Sequence, residues 1–326
     1  MKRFTLLTPN SLAEAAQALA DGATNSRVLA GGQDLLTEMK EHLVEPDRLV
    51  NLKGVAGLDR IELESSGACR IGALVTIAAL EQHAGVREKL RVLAEAAGSV
   101  GSPQIRSMGT VGGNLCQRPR CWYYRNEHAK CLKKGGEECF SFTGMSKYNA
   151  ILGGGPSYIV HPSDLAPALV ALGASVTLAS KSGERRVALE EFFTLPSAGD
   201  LKRENVLRDD EVLTHVHVPA PEPGMKSTYL KFRERGSYDF ALALVALALW
   251  RDGAKVRSAR VVLGGVAPIP WRAKAAEAAL AGAAFEPATF ERAGAAAVEG
   301  AEPLEHNAYK VPLTKGLVQR ALEGLA

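Results

Sequence analysis

The chain predicts an α+β fold: short strands interleaved with helices over its first two thirds, then a small antiparallel sheet covered by helices. Three observations predict it. The apolar stretch Arg27-Val28-Leu29-Ala30 runs into Gly31-Gly32 and then into the helix-compatible Asp34-Leu35-Leu36. The proline-rich run Pro219-Ala220-Pro221-Glu222-Pro223-Gly224 divides the chain. Beyond it, strand-like alternation at 227–233 and a strand at 259–264 give way to three alanine-rich helical stretches, 273–281, 288–299 and 313–325.

Length and composition bound the rest. At 326 residues, 46% hydrophobic and with mean hydropathy near zero, the chain has room for two or three domains. A net charge of +3 is too small to make nucleic acid the main partner. Met1-Lys2-Arg3 precedes only a few apolar residues before Thr8-Pro9, too short a core for a signal peptide. The longest apolar run, Phe240 to Trp250, falls short of the roughly 20 residues a membrane helix needs, so no membrane span is expected.

In chain order, Leu12, Ala15, Ala16 and Leu19 recur at helical spacing, with Asn10 or Ser11 placed as cap. The glycine pair at 31–32 then joins a strand to a helix, an arrangement that exposes amides to a phosphate, though without Rossmann spacing. Residues 50–52, 61–63 and 68–73 read as strands, with Cys69 as core. Thr76 is placed to cap a helix over 77–82, and a further helix is expected over 86–97. Later, 158–161 reads as a strand, 165–172 as a helix, 175–179 with 186–189 as a hairpin, and 212–218 as a strand. Asp164 either accepts hydrogen bonds from a ligand or caps the helix that follows it. Residues 241–250 form a buried strand or helix, and Lys231 is either a cofactor contact or an exposed strand residue.

The chemistry concentrates between Gly109 and Asp164. Gly109-Thr110-Val111-Gly112-Gly113-Asn114 is a second turn whose glycines let backbone approach a nucleotide diphosphate. Four of the five cysteines follow at once: Cys116, Cys121, Cys131 and Cys139, with spacings x4, x9 and x7. Four thiols in one loop suggest a metal or cluster, and only the first two are close, so iron–sulfur is favoured over a structural zinc. Two disulfides, or four unrelated buried cysteines, are the weaker readings for a chain long enough to build its own core. Arg118, Arg120, Arg125, Lys130, Lys133 and Lys134 crowd the loop; near an anionic cluster they would stabilise it and raise its potential, and otherwise they form a solvated face. Trp122, Tyr123 and Tyr124 either shield a cluster or pack the base of the loop.

With Ala30-Gly31-Gly32-Gln33-Asp34-Leu35-Leu36, Gly109-Thr110-Val111-Gly112-Gly113-Asn114-Leu115, His161-Pro162-Ser163-Asp164-Leu165-Ala166-Pro167 and the strand Tyr229-Leu230-Lys231-Phe232-Arg233, the chain resembles the FAD-binding, or medium, subunit of the xanthine oxidase family of molybdenum hydroxylases. The four-cysteine insertion resembles the branch with an additional 4Fe-4S cluster, as in aldehyde oxidoreductases of the periplasmic type and in 4-hydroxybenzoyl-CoA reductase. Cys116-Gln117-Arg118-Pro119-Arg120-Cys121 is more similar to the aldehyde oxidoreductase form. The resemblance implies a PCMH-type FAD-binding domain of two α/β subdomains, 1–58 and 59–222, with the iron–sulfur loop at 116–139. It further implies a C-terminal α+β domain, 223–326, like that of the CO dehydrogenase flavoprotein.

It also implies site residues. Val28, Leu29, Ala30, Gly31, Gly32, Gln33, Asp34 and Leu35, with Gly109, Thr110, Gly112 and Gly113, would hold the FAD diphosphate. Asn114, Asp164 and Lys231 would surround the rest, with Val100, Val212 and Leu213 near the isoalloxazine. Cys116, Cys121, Cys131 and Cys139 would ligate the 4Fe-4S cluster, and no residue is expected to act as general acid or base. The implied function is electron transfer: from a molybdopterin-binding large subunit, through a small subunit with 2Fe-2S clusters, to FAD here and on to an acceptor such as ferredoxin. The expected location is the cytoplasm, or the periplasm by co-export with a partner bearing a twin-arginine signal. Subunits of hydroxybenzoyl-CoA reductase-like or xanthine dehydrogenase-like enzymes are the neighbouring readings. From other classes come a free-standing flavin oxidase and a zinc-stabilised scaffold without redox function.

Overall fold

Three sheets organise the computed structural model, which describes residues 1–21 and 25–326. The first is parallel, in the order β1–β3–β2: β1 (Thr5–Leu7), β2 (Ser26–Leu29) and β3 (Arg48–Asn51). Between β1 and β2 the helix Leu12–Asp21 buries Ala15, Ala16 and Leu19. Ser11 Oγ accepts from Glu14 N while Asn10 N donates to the Glu14 carboxylate, a reciprocal cap.

The second sheet is antiparallel, in the order β4–β5–β8–β6–β7, from β4 (Ile61–Leu63), β5 (Cys69–Gly72), β6 (Ser175–Ser180), β7 (Gly183–Ala188) and β8 (Val212–Val218). Thr76 Oγ1 accepts from Ala79 N and caps the helix Ile77–Gln82. The helix predicted over 86–97 is two, Ala84–Lys89 and Arg91–Ser99, broken at Leu90 (φ −126°, ψ 49°). Val86, Leu90, Leu93 and Ala97 all remain buried across the break, so the apolar period does not register it. Residues 158–161 join no sheet. Pro156 and Pro162 flank them, and single hydrogen bonds, Ala150 N to Tyr158 O and His161 N to Ala267 O, hold them extended.

The third sheet runs β12–β11–β10–β9, from β9 (Lys226–Phe232), β10 (Ala243–Asp252), β11 (Lys255–Gly264) and β12 (Trp271–Arg272). The ambiguous stretch at 241–250 is thus a strand, and alternation explains its uniform apolarity. Ala243, Val245, Leu247 and Leu249 face a core shared with the helices Lys274–Leu280, Pro287–Ala296 and Lys310–Glu323. Leu244 and Ala246 face the other way, into the core of the second sheet and the helices Arg91–Ser99 and Leu165–Ala171. Covered on both faces, such a strand shows no polar–apolar alternation.

Candidate cofactor site

Two glycine turns meet at the floor of a cleft. The first carries the chain from β2 through Gly31 and Gly32, the latter at φ 73°, into the helix Leu35–Lys40. The second opens the helix Val111–Leu115, whose cap Thr110 accepts from Gly113 N at 3.2 Å. A Cβ on Gly31 would stand 2.2 Å from Met108 O and 3.2 Å from Gly109 Cα, so only glycine lets the turns touch. Two side-chain-free backbone runs side by side make a cradle suited to a diphosphate. The cleft above them measures about 910 Å³ and is walled by residues of both N-terminal sheet regions, a size that suits a cofactor.

A buried polar cluster closes one side. Ser163 Oγ donates to Asn114 Oδ1 at 2.5 Å and accepts from Ala166 N at 3.0 Å, so Ser163, rather than Asp164, caps the helix Leu165–Ala171. Asp164 instead accepts from the Tyr229 hydroxyl and from Lys231 Nζ, both at 2.8 Å. Burial holds the Asp164 carboxyl above the usual carboxylate range, and Lys231 and Tyr229 draw it back only in part. The Tyr229 phenol is pushed well up, by burial first and then by the Asp164 charge.

The four-cysteine loop lines the cleft through Cys116, Gln117, Arg118, Arg120, Tyr124 and Lys133. Cys116 ends the helix Val111–Leu115 and lines the cleft; burial pushes its thiol up to about 12. Cys121 starts the helix Trp122–Arg125, receives Asn149 Nδ2 at 3.8 Å, and is raised by burial, with the nearby Cys139 adding to the shift. Buried Cys131 opens the turn Leu132–Lys134, and Leu132 N donates to Glu138 O at 2.8 Å, bringing the chain at Cys139 back alongside. The turn needs Gly136, where a Cβ would lie 1.7 Å from Lys130 O. All five cysteines are free thiols. Among the described residues, no three His, Cys, Asp or Glu side chains stand close enough to hold a single metal ion.

Four of the loop's basic residues, Arg118, Arg120, Arg125 and Lys133, pair with carboxylates, while Lys134 donates to Asn126 O. Arg120 and Arg125 each pair with Asp34 at 2.7 Å, and Arg118 N donates to the same carboxylate at 2.6 Å. The Arg118 side chain and Lys133 pair with Glu204 at 2.6 and 2.5 Å. Burial lowers Lys133, with Glu204 opposing it; for Arg118 burial pulls the same way, and Glu204 with its neighbours outweighs it, leaving the group raised. Tyr124 is buried and donates to Glu38 Oε1 at 2.7 Å, which makes it part of the packed base of the loop, whereas Trp122 is exposed.

Comparison with known proteins gives this geometry a family. Residues 2–221 match the family described as the FAD binding domain in molybdopterin dehydrogenase, and residues 227–325 match the CO dehydrogenase flavoprotein C-terminal domain. The chain belongs to the molybdopterin dehydrogenase FAD-binding family. Among its relatives is the aldehyde oxidoreductase FAD-binding subunit PaoB of Escherichia coli (strain K12), 37% identical over 97% of this chain and 96% of that protein. The carbon monoxide dehydrogenase medium chain of Hydrogenophaga pseudoflava is 29% identical over 98% of this chain and 96% of its own length. A solved structure of carbon monoxide dehydrogenase from that organism matches with a TM-score of 0.78, covering 98% of this chain and 96% of that one. Quinoline 2-oxidoreductase from Pseudomonas putida 86 matches with a TM-score of 0.77 at 27% identity, over 99% and 98% of the two chains.

In this FAD-binding fold the predicted residues divide cleanly. Val28 and residues 30–35 line the cleft, as do Val100, Gly109, Thr110, Gly112, Gly113, Asn114, Asp164, Val212 and Leu213. Leu29 and Lys231 do not: Leu29 packs near Gly32, and Lys231 reaches Asp164. Asp34 lines the cleft with its carboxylate already engaged by the loop, so what it offers a diphosphate is backbone. The touching turns, the cleft volume and the spare polar groups of Asn114 fit a flavin dinucleotide. Tyr238, Phe240 and Glu204 also line the cleft and carry no sequence signal. Tyr238 sits at φ 59° with its N–H on Gly101 O, a conformation only the C-terminal sheet's loop imposes. Glu204 is a buried acid in an otherwise polar stretch, made so by the arrival of Arg118 and Lys133.

Proposed function

We infer that this chain is the FAD-carrying electron-transfer subunit of a multi-subunit molybdenum hydroxylase, with an aldehyde as the substrate oxidised on a partner. The observation that carries it is the cleft floored by two touching glycine turns in a chain that matches an aldehyde oxidoreductase FAD-binding subunit over nearly its whole length. FAD, when bound, supplies both one- and two-electron chemistry. The chain's own residues do the rest. The turns at 31–35 and 109–113 would hold the FAD diphosphate, Asn114 and the Asp164–Lys231–Tyr229 cluster fix the polar wall, and Val100, Val212 and Leu213 would exclude water from the ring. Two partners complete the unit: a molybdopterin-binding large subunit and a small subunit with 2Fe-2S clusters.

The four thiols we assign to a 4Fe-4S cluster. Support comes from their confinement to one loop, in which the chain at Cys131 pairs with Glu138 and so brings Cys139 back beside it. A cubane sets its ligands farther apart than one zinc does, and would give a one-electron relay towards an acceptor such as ferredoxin. Among the described residues no helix is long and apolar enough to cross a membrane; a twin-arginine leader on a partner would place the complex in the periplasm. Replacing Cys131 with Ser tests the assignment: anaerobically prepared protein is expected to lose its iron, sulfide and broad visible absorption. Unchanged iron, or zinc in its place in the unsubstituted protein, would overturn the cluster.

A further inference from the structure

The loop's charged contacts go to two separate segments that line the cleft, one after β2 and one between β7 and β8. Arg118 N, Arg120 and Arg125 converge on Asp34, beside the first glycine turn. The Arg118 side chain and Lys133 converge on Glu204, in the second lining segment, and each adds a backbone anchor there: Arg118 Nη2 to Lys202 O at 2.9 Å and Lys133 Nζ to Arg203 O at 3.0 Å. Arg118 therefore touches both segments, with its amide on one and its guanidinium on the other. Glu204 and Lys133 are 4% and 2% exposed in their side chains, so neither contact is a solvated surface pair. Buried pairs of this kind hold little net energy when intact but are costly to break one-sidedly, because the remaining charge is stranded.

We propose that the four-cysteine loop is a strap across the FAD cleft, with Asp34 and Glu204 as positioning residues at its two ends, so that retention of FAD depends on the loop being assembled. The part of this that concerns assembly rests on the cluster assignment above; the part that concerns the anchors does not. With the strap fastened, the two segments cannot separate without stranding Asp34 or Glu204. With the loop unfolded, both carboxylates are left unpaired at the cleft, Asp34 beside the turn that receives a diphosphate, and both the closure and the local charge turn against the cofactor.

The test uses the purified complex and follows FAD release by flavin fluorescence after dilution, alongside iron content and thermal stability. Glu204→Gln is expected to release FAD about tenfold faster with iron unchanged, since a stranded Arg118–Lys133 pair weakens closure by more than a tenfold equilibrium factor. Glu204→Asp should restore slow release. Glu277→Gln, which breaks an ion pair with Arg272 on the C-terminal sheet, should lower stability without changing FAD release. If Glu204→Gln releases FAD at the unsubstituted rate, or no faster than Glu277→Gln, the strap is wrong. Should Glu204→Gln fail to fold, the same release is measured on unsubstituted protein before and after iron is stripped with ferricyanide and chelator: faster release supports the strap, an equal rate overturns it. Protein that never holds iron defeats the cluster assignment alone, and the Glu204 series still decides the strap.

Discussion

Lys231 shows how a residue can belong to a site without facing its ligand. Its ammonium sits against Asp164 at 2.8 Å, with both side chains at most 5% exposed. Replacing it with Met leaves Asp164 buried beside Tyr229 without its cation, which is expected to cost about 3–5 kcal/mol of folding stability by denaturant titration. A cost under about 1 kcal/mol would mean that the pair is not the buried contact described. Gly31 makes a second residue-scale prediction. Gly31→Ala drives a methyl into Met108 O, so the turns must part; we expect about 1–3 kcal/mol of destabilisation and sub-stoichiometric FAD, read by melting and by flavin content. Full FAD occupancy in that variant would contradict the touching-turn geometry. At this scale the sequence was informative wherever glycine or a Ser-Asp pair marked backbone geometry, and silent where burial was decided by a distant element, as at Glu204 and Tyr238.

Elements were legible in proportion to how locally they are determined. The hairpin of β6 and β7, β8, and the three C-terminal helices follow from period and turn residues. The strand β1, the break at Leu90 and the extended path of 158–161 do not, because each is settled by what lies against it: β3, a shared core and Ala267. The C-terminal helix Lys310–Glu323 adds a device no local pattern signals. Its first residue, Lys310, is fully buried with no carboxylate partner among the described residues and donates to Tyr148 O and Gly265 O at 3.1 and 2.7 Å; burial pushes it down to about 7. With the folded value below the unfolded one of 10.5, the unfolded chain binds the extra proton between about pH 7 and 10.5, so stability rises with pH through that window. Measured against Lys310→Met, unsubstituted protein should gain up to about 1.4 kcal/mol per pH unit there. A pH-independent difference would contradict the burial of an unpaired lysine.

As a whole molecule, the chain joins three sheets through shared cores and places the cleft between the first two, lined also by residues of the cysteine loop and by Tyr238 and Phe240 from the loop between β9 and β10. Two of the carboxylates there are held by cations, Asp164 by Lys231 and Asp34 by arginines. On the proposed function, electrons reach this chain from a partner subunit. The most direct measurement is the absorbance of oxidised flavin when an aldehyde is added anaerobically to the complex and, in parallel, to this chain purified alone with FAD. The flavin is expected to bleach in the complex and to stay oxidised in the isolated chain. Bleaching of the isolated chain by aldehyde would contradict it, because substrate chemistry would then reside in this polypeptide.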